Sequence, residues 1–172
     1  RVFHGTTATF ERFDPEMSRV GLVGKGMYFT ESPGVSAGYS EPWKTSEILD
    51  ETDYPDAHAN IRPVYLDIKN PFDADSGWDQ ARKAAKSFGS DPLEIDKWLD
   101  RDAEYGYSNI ADAELPWAKE ALASVVGNNN VTQALIAGGF DGVTHVGGRV
   151  SGNVRHRVWV AFSPEQIHPA IL

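Results

Sequence analysis

The sequence contains no cysteine, which removes disulfides and thiolate metal sites from consideration and leaves the redox compartment unreadable. No apolar run reaches the roughly 18–20 residues that a membrane-spanning helix needs, and the opening residues lack the order of a signal peptide. Histidine is sparse: His4, His58, His145, His156 and His168. No pair has HxxxH or HExxH spacing, so a metal site would have to be assembled from distant segments, and no metal is expected. Neither GxGxxG nor GxxxxGK(S/T) occurs, so the glycines of GLVGKG at 21–26 read as turn formers rather than a phosphate loop. GVSAG at 34–38 has the spacing of a nucleophile elbow, but its Ser36 falls inside a helix rather than on a sharp turn. Positive charge is also short. Sixteen Lys and Arg against 25 Asp and Glu leave a net charge of -9, which argues against a broad nucleic-acid-binding face.

What is present is ordinary globular material. The 172 residues are 41% hydrophobic and 24% charged, fitting a single domain over 1–172. The chain opens on Arg1 rather than Met, which reads as a domain excised from a longer protein. RVFHGTT predicts a first strand, with Val2, His4 and Thr6 on one face and Phe3 on the other. Residues 8–24 read as loop and GMYFT at 26–30 as a short strand, with Met27 and Phe29 facing the core and Tyr28 the other side. SPGVSAGYS predicts a short helix with Ser32 as N-cap and Pro33 at its first position. Residues 41–60 read as acidic loop and 62–69 as a strand ended by Asn70-Pro71. Helical spacing relates Trp78, Ala81, Ala85 and Phe88, then Ile95, Trp98, Leu99 and Ala103, then Leu115, Ala118, Leu122 and Val125. VTQALIAGG predicts another short helix. FDGVTHV and RVWVAF predict the last strands, joined by a glycine-rich loop. Strands at both ends with helices between them indicate an α+β fold.

The residues with chemical potential cluster near the start. A glycine inside a strand is costly unless something approaches its backbone closely, so Gly5 between His4 and Thr6 stands out. Its N–H and C=O could pair with a planar carboxamide. Tyr28 and Tyr39, on separate elements across the Ser32-Pro33-Gly34 break, could sandwich the attached ring. Ser32 could reach the same amide, and His4 could hydrogen-bond a sugar hydroxyl. Such a set describes a nicotinamide riboside pocket.

VFHGTT, GKGMYFTESPGVSAGY, VYLDIKNPFD, GGFDGVTHV and VWVAFSPEQIHPA together resemble the ADP-ribosyltransferase superfamily. The branch is the one related to diphtheria toxin and the poly(ADP-ribose) polymerases, and in particular the transferase domains of polyvalent proteins of phages and mobile elements. The resemblance implies a split, bent, mixed β-sheet with a helical insertion at about 74–137. It implies NAD as substrate, transfer of ADP-ribose to a macromolecular acceptor with release of nicotinamide, and a toxin- or effector-like use with delivery into a host cell. It places His4, Gly5, Thr6, Tyr28, Ser32 and Tyr39 on NAD, with His4 at the adenine-side ribose and the tyrosines on the nicotinamide. Many members carry a glutamate at the start of the last strand; here Val158 takes that position. A valine there implies transfer of single units, without chain elongation. The loop before that strand, with Arg149, Arg155 and Arg157, is where related enzymes hold their acceptor, here a protein, with nucleic acid as the other class. An NAD- or ADP-ribose-binding module without transfer, an NAD glycohydrolase, and an unrelated hydrolase or structural domain stay open as alternatives.

Overall fold

A computed structural model describes residues 1–8, 10–18, 20–40, 60–105, 116–148 and 154–170. The first strand, β1 (Val2–Thr6), leads to a 3₁₀ turn at Pro15–Met17 capped by the Asp14 carboxylate. β2 (Val20–Gly21) and β3 (Gly24–Lys25) form a small two-stranded ribbon, and β4 (Met27–Thr30) follows at once. α1 (Pro33–Tyr39) starts as the sequence predicts: the Ser32 hydroxyl accepts from Val35 N at 3.3 Å, with proline in the first turn. β5 (Asn60–Leu66) and β6 (Pro71–Asp73) precede the helices α2 (Trp78–Ser87), α3 (Leu93–Tyr105), α4 (Trp117–Val126) and α5 (Val131–Ala137). β7 (Gly142–Gly147), β8 (His156–Ala161) and β9 (Ile167–Pro169) close the chain. None of the described helices is long and apolar enough to cross a membrane.

The fold is α+β, as expected, with the helical insertion in the predicted place. A seven-stranded mixed sheet runs in the order β6-β7-β8-β4-β1-β5-β9, with β6 parallel to β7 and the remaining pairs antiparallel. Boundaries differ in several places, and β6 (Pro71–Asp73) forms where the sequence reads the end of a strand. The segment read as loop at 8–24 contains the ribbon, because its glycines permit a tight reversal, with Gly24 at φ 112. The strand read at 62–69 spans Asn60–Leu66. Ile167–Pro169, too short to show a pattern, pairs with β5 as an edge strand. The acidic loop read at 41–60 lies outside the described residues, apart from Asn60.

Hydrogen-bond register exposes a split in the sheet. β1 pairs with β5 at five positions and β4 pairs with β8 at four, but β1 and β4 share one, Phe3 with Thr30. Beyond that point the ladder stops. The His4 side chain bridges the gap instead, its Nδ1 donating to the Tyr28 carbonyl at 2.8 Å.

Both faces of the sheet are covered. On one, α2, α4 and α5 pack over Phe72, Val143 and Val160, and the alanines Ala81, Ala84, Ala118 and Ala121 let the helices approach closely. Phe72, Leu122 and Leu135 are fully buried, each contributing about 1.5–3 kcal/mol from the area removed from water. On the other, Val2, Met27, Phe29, Val64 and Ala161 form a smaller core with Phe13, Leu66 and Trp159 against it. Tyr28 therefore does not face solvent; its ring packs against the helical core.

α1 crosses β1 at Gly5. A Cβ there would lie 1.9 Å from the Ser36 carbonyl oxygen, a backbone atom that cannot swing aside. Gly5→Ala should displace α1 and destabilise by about 3 kcal/mol or more. Gly38 sits on the exposed side of the same helix with nothing within 4 Å of its Cβ position, so Gly38→Ala should stabilise by about 0.5–1 kcal/mol. Urea unfolding of the two variants checks both signs; a harmless Gly5→Ala would contradict the packing.

Candidate functional site

A cavity of about 870 Å³ opens where β1 and β4 part. His4, Gly5 and Thr6 line it from β1, Tyr28 and Thr30 from β4, Ser36 and Tyr39 from α1, and His145 and Val158 from β7 and β8. Six of the seven residues expected to contact NAD, or to stand in the glutamate position, thus meet at one cleft, and Ser32 is the exception. Its hydroxyl is committed to capping α1, and Ser36 lines the cavity in its place. Ser36 is fully buried, and its hydroxyl has no hydrogen-bond partner among the described residues. The signal was available in the spacing: Ser36 lies three residues before Tyr39, so the two share a face of α1.

Tyr28 is held at both ends. Its hydroxyl donates to the Gly24 carbonyl at 2.6 Å and accepts from Val23 N at 3.2 Å, which fastens the β2–β3 ribbon over the ring. Gly21 passes so close that a Cβ would come within 2.5 Å of the phenol. Burial pushes the Tyr28 hydroxyl well above the ordinary phenol range, against the opposing backbone bonds from Val23 and Gly21, so it stays neutral. Tyr39, the last residue of α1, is 42% exposed, with its hydroxyl raised by partial burial. The Tyr28 ring is therefore fixed, while the Tyr39 ring is partly in solvent.

His4 lies on the opposite face of β1 from Phe3 and Gly5. Its ring packs among Phe10, Phe13 and Phe29, and the cross-strand Arg62 stacks its guanidinium over Phe10 at 4.1 Å. Burial lowers the His4 pKa, the Tyr28 carbonyl opposes that, and the Arg62 charge lowers it further. The favoured form is neutral, with the proton on Nδ1 and a lone pair on Nε2.

The three arginines expected on an acceptor loop separate. Arg149 lies outside the described residues. Arg155 is exposed just ahead of β8. Arg157 is within β8, one residue from Val158, so alternation sends it to the face away from the cavity, where it donates to Thr144 Oγ1 at 3.2 Å. Arg157 is the second residue of β8 (His156–Ala161) and not part of the loop before it. Arg12 is the arginine among the cavity's described lining residues. No group of three or more His, Cys, Asp or Glu among the described residues is placed to hold a metal ion.

Residues 1–171 match the family model described as ADP-Ribosyltransferase in polyvalent proteins. The match spans nearly the whole chain, and the protein belongs to this family, whose members' common activity is ADP-ribosyl transfer. No curated protein and no solved structure matches the chain.

Two measurements follow from the geometry. Tyr28→Phe keeps the ring but leaves Val23 N and the Gly24 carbonyl without their partner, so it should cost about 1–3 kcal/mol in urea unfolding; no loss would mean that the ribbon is not fastened there. A histidine whose folded pKa is depressed takes up its proton more readily when unfolded. Stability contributed by neutral His4 should therefore be complete above the ordinary imidazole range and fall as pH drops through it toward the lower folded value. His4→Gln should flatten that part of the stability–pH curve, and an unchanged slope would contradict the assignment.

Proposed function

We propose that this member of the ADP-ribosyltransferase family uses NAD as donor and transfers single ADP-ribose units to a macromolecular acceptor, releasing nicotinamide. The observation that carries this reading is the convergence of Tyr28, Tyr39, Gly5 and Ser36 on the cleft between β1 and β4. A flat aromatic amide suits two tyrosine walls, a half-buried strand glycine lining the cavity and a buried hydroxyl with no partner among the described residues. Tyr28 and Tyr39 stack the nicotinamide. The backbone of Gly5 and the hydroxyl of Ser36 take its carboxamide. Nε2 of His4 accepts from a ribose hydroxyl, Thr6 continues that wall, and Arg12 faces the diphosphate.

The reaction breaks the bond between C1′ of the ribose and the nicotinamide nitrogen. Its transition state has oxocarbenium character, as in glycoside cleavage. The nicotinamide leaves neutral with the bonding electrons, so no acid is required. The residues act by fixing the donor's geometry and favouring the transition state's charge distribution. The burial of Tyr28 and His4 serves that purpose, since neutral groups in fixed orientation need no rearrangement during reaction.

Val158 shapes the outcome. It is the cross-strand partner of Thr30 and His145 and lines the cavity. An aliphatic side chain there cannot orient the ribose hydroxyl of a growing chain, so transfer stops at one unit. The acceptor is a protein in this reading, with nucleic acid as the alternative class; Arg155 stands at the strand end where it would arrive.

NAD should raise the melting temperature through its preference for the folded state. Tyr39→Ala should remove most of that shift while altering the stability of the free protein little, because the ring is partly exposed. A shift identical in the variant would contradict the stacked arrangement. Labelled NAD should give discrete single-unit products on a gel. A ladder of long polymers would overturn the role given to Val158, and free ADP-ribose without labelled acceptor would favour a glycohydrolase.

A further inference from the structure

A row of cross-strand partners runs through the site: Phe3 with Thr30, Thr30 with Val158, Val158 with His145. Partners in such a row project from the same face of the sheet, and all four line the cavity. At the level where Val158 offers no polar atom, the adjacent strand presents an imidazole.

His145 is 2% exposed. Its Nδ1 lies 2.5 Å from Asp75 Oδ1, while Asp75 Oδ2 accepts from Val146 N at 2.9 Å. Asp75 is itself placed by the turn after β6, where the Asp73 carboxylate accepts from Asp75 N and Ser76 N, and Ala74 N donates to the Thr144 carbonyl across the parallel pair. An ionised carboxylate only accepts, so the proton belongs on Nδ1 and the lone pair on Nε2. Nε2 is buried and has no hydrogen-bond partner among the described residues. Buried polar atoms are nearly always paired. A histidine kept only to tie β7 to the preceding turn would leave no reason for an unpaired nitrogen beside the cavity.

We infer that His145, oriented by Asp75, is the general base that takes the proton from a hydroxyl acceptor attacking C1′ of the bound NAD. The inference rests on the transfer reading and names its substrate class: a hydroxyl-bearing acceptor, or water in its absence, rather than a carboxylate that is already deprotonated. The acceptor O–H proton passes to Nε2, and the oxygen bonds to C1′. The bond from C1′ to nicotinamide breaks, its electron pair leaving with neutral nicotinamide, and the imidazolium then returns its proton to water. Carboxylate, imidazole and nucleophile thus stand in series, the arrangement that activates weak nucleophiles generally. A base at this place does not by itself allow elongation, which needs the growing chain's ribose bound as acceptor as well.

Nicotinamide release from NAD is the readout, with water, methanol or azide as nucleophile. Water and methanol must lose a proton; azide arrives without one to lose. His145→Asn should slow release with water and methanol by about 100-fold or more and leave the azide reaction within about threefold of the unmodified protein, with the NAD-induced melting shift retained. Asp75→Asn gives the same test if His145→Asn fails to fold. The amide's oxygen stays with Val146 N, its NH₂ turns to Nδ1, and the imidazole is driven into the tautomer with the proton on Nε2. Equal losses with azide and water, or no loss with either, would overturn the base assignment alone. An unmodified protein that releases no nicotinamide with any of the three nucleophiles would overturn the transfer reading, and the base with it.

Discussion

The site depends on one interruption of hydrogen bonding. β1 and β4 share one ladder pair, Phe3 with Thr30, and the bond from His4 Nδ1 to the Tyr28 carbonyl holds them at a fixed separation beyond that pair. A backbone carbonyl without a ladder partner needs another donor, and His4 supplies one while staying neutral. The same bond sets the orientation of His4 and fixes the backbone of Tyr28. The cleft is thus a consequence of where the sheet stops pairing, and its walls come from the strands that would otherwise have closed it.

Around that cleft the protein divides its rigidity unevenly. Tyr28 is fastened by its ring, through Gly21, and by its hydroxyl, through Gly24 and Val23. α1 is seated on Gly5 with no space to spare. Tyr39, at the end of that helix, keeps much of its ring in contact with solvent. In the proposed function, a fixed wall and a yielding wall suit a donor whose nicotinamide ring enters flat, and binding orders one side chain, at about 0.5–1.5 kcal/mol, instead of reshaping the sheet.

Much of this was legible from residue order. The cap of α1, the strand holding Tyr28 and the helical stretch from Trp78 onward follow from local rules, and the observed elements match them. The oddity of a strand glycine near two tyrosines singles out Gly5, Tyr28 and Tyr39, and all three line the cavity. What escaped was decided by phase and by distance. Ser32 and Ser36 lie seven and three residues before Tyr39, near one helical face, but the cap consumes the first hydroxyl, and only packing against Gly5 shows that the second faces inward. Arg157 reads with Arg149 and Arg155 as loop charge, although strand alternation sets it opposite to Val158. Asp75 and His145 are 70 positions apart. They meet because β6 runs parallel to β7 and ends in a tight turn, a tertiary arrangement with no local signature.

The proposed function places nicotinamide between Tyr28 and Tyr39 in the gap between β1 and β4. Nuclear Overhauser contacts in an NAD titration, with the tyrosine rings selectively labelled, test it most directly. Contacts from the nicotinamide ring protons to the rings of both Tyr28 and Tyr39 are expected. Contacts to neither ring, with NAD bound elsewhere on the protein, would contradict it.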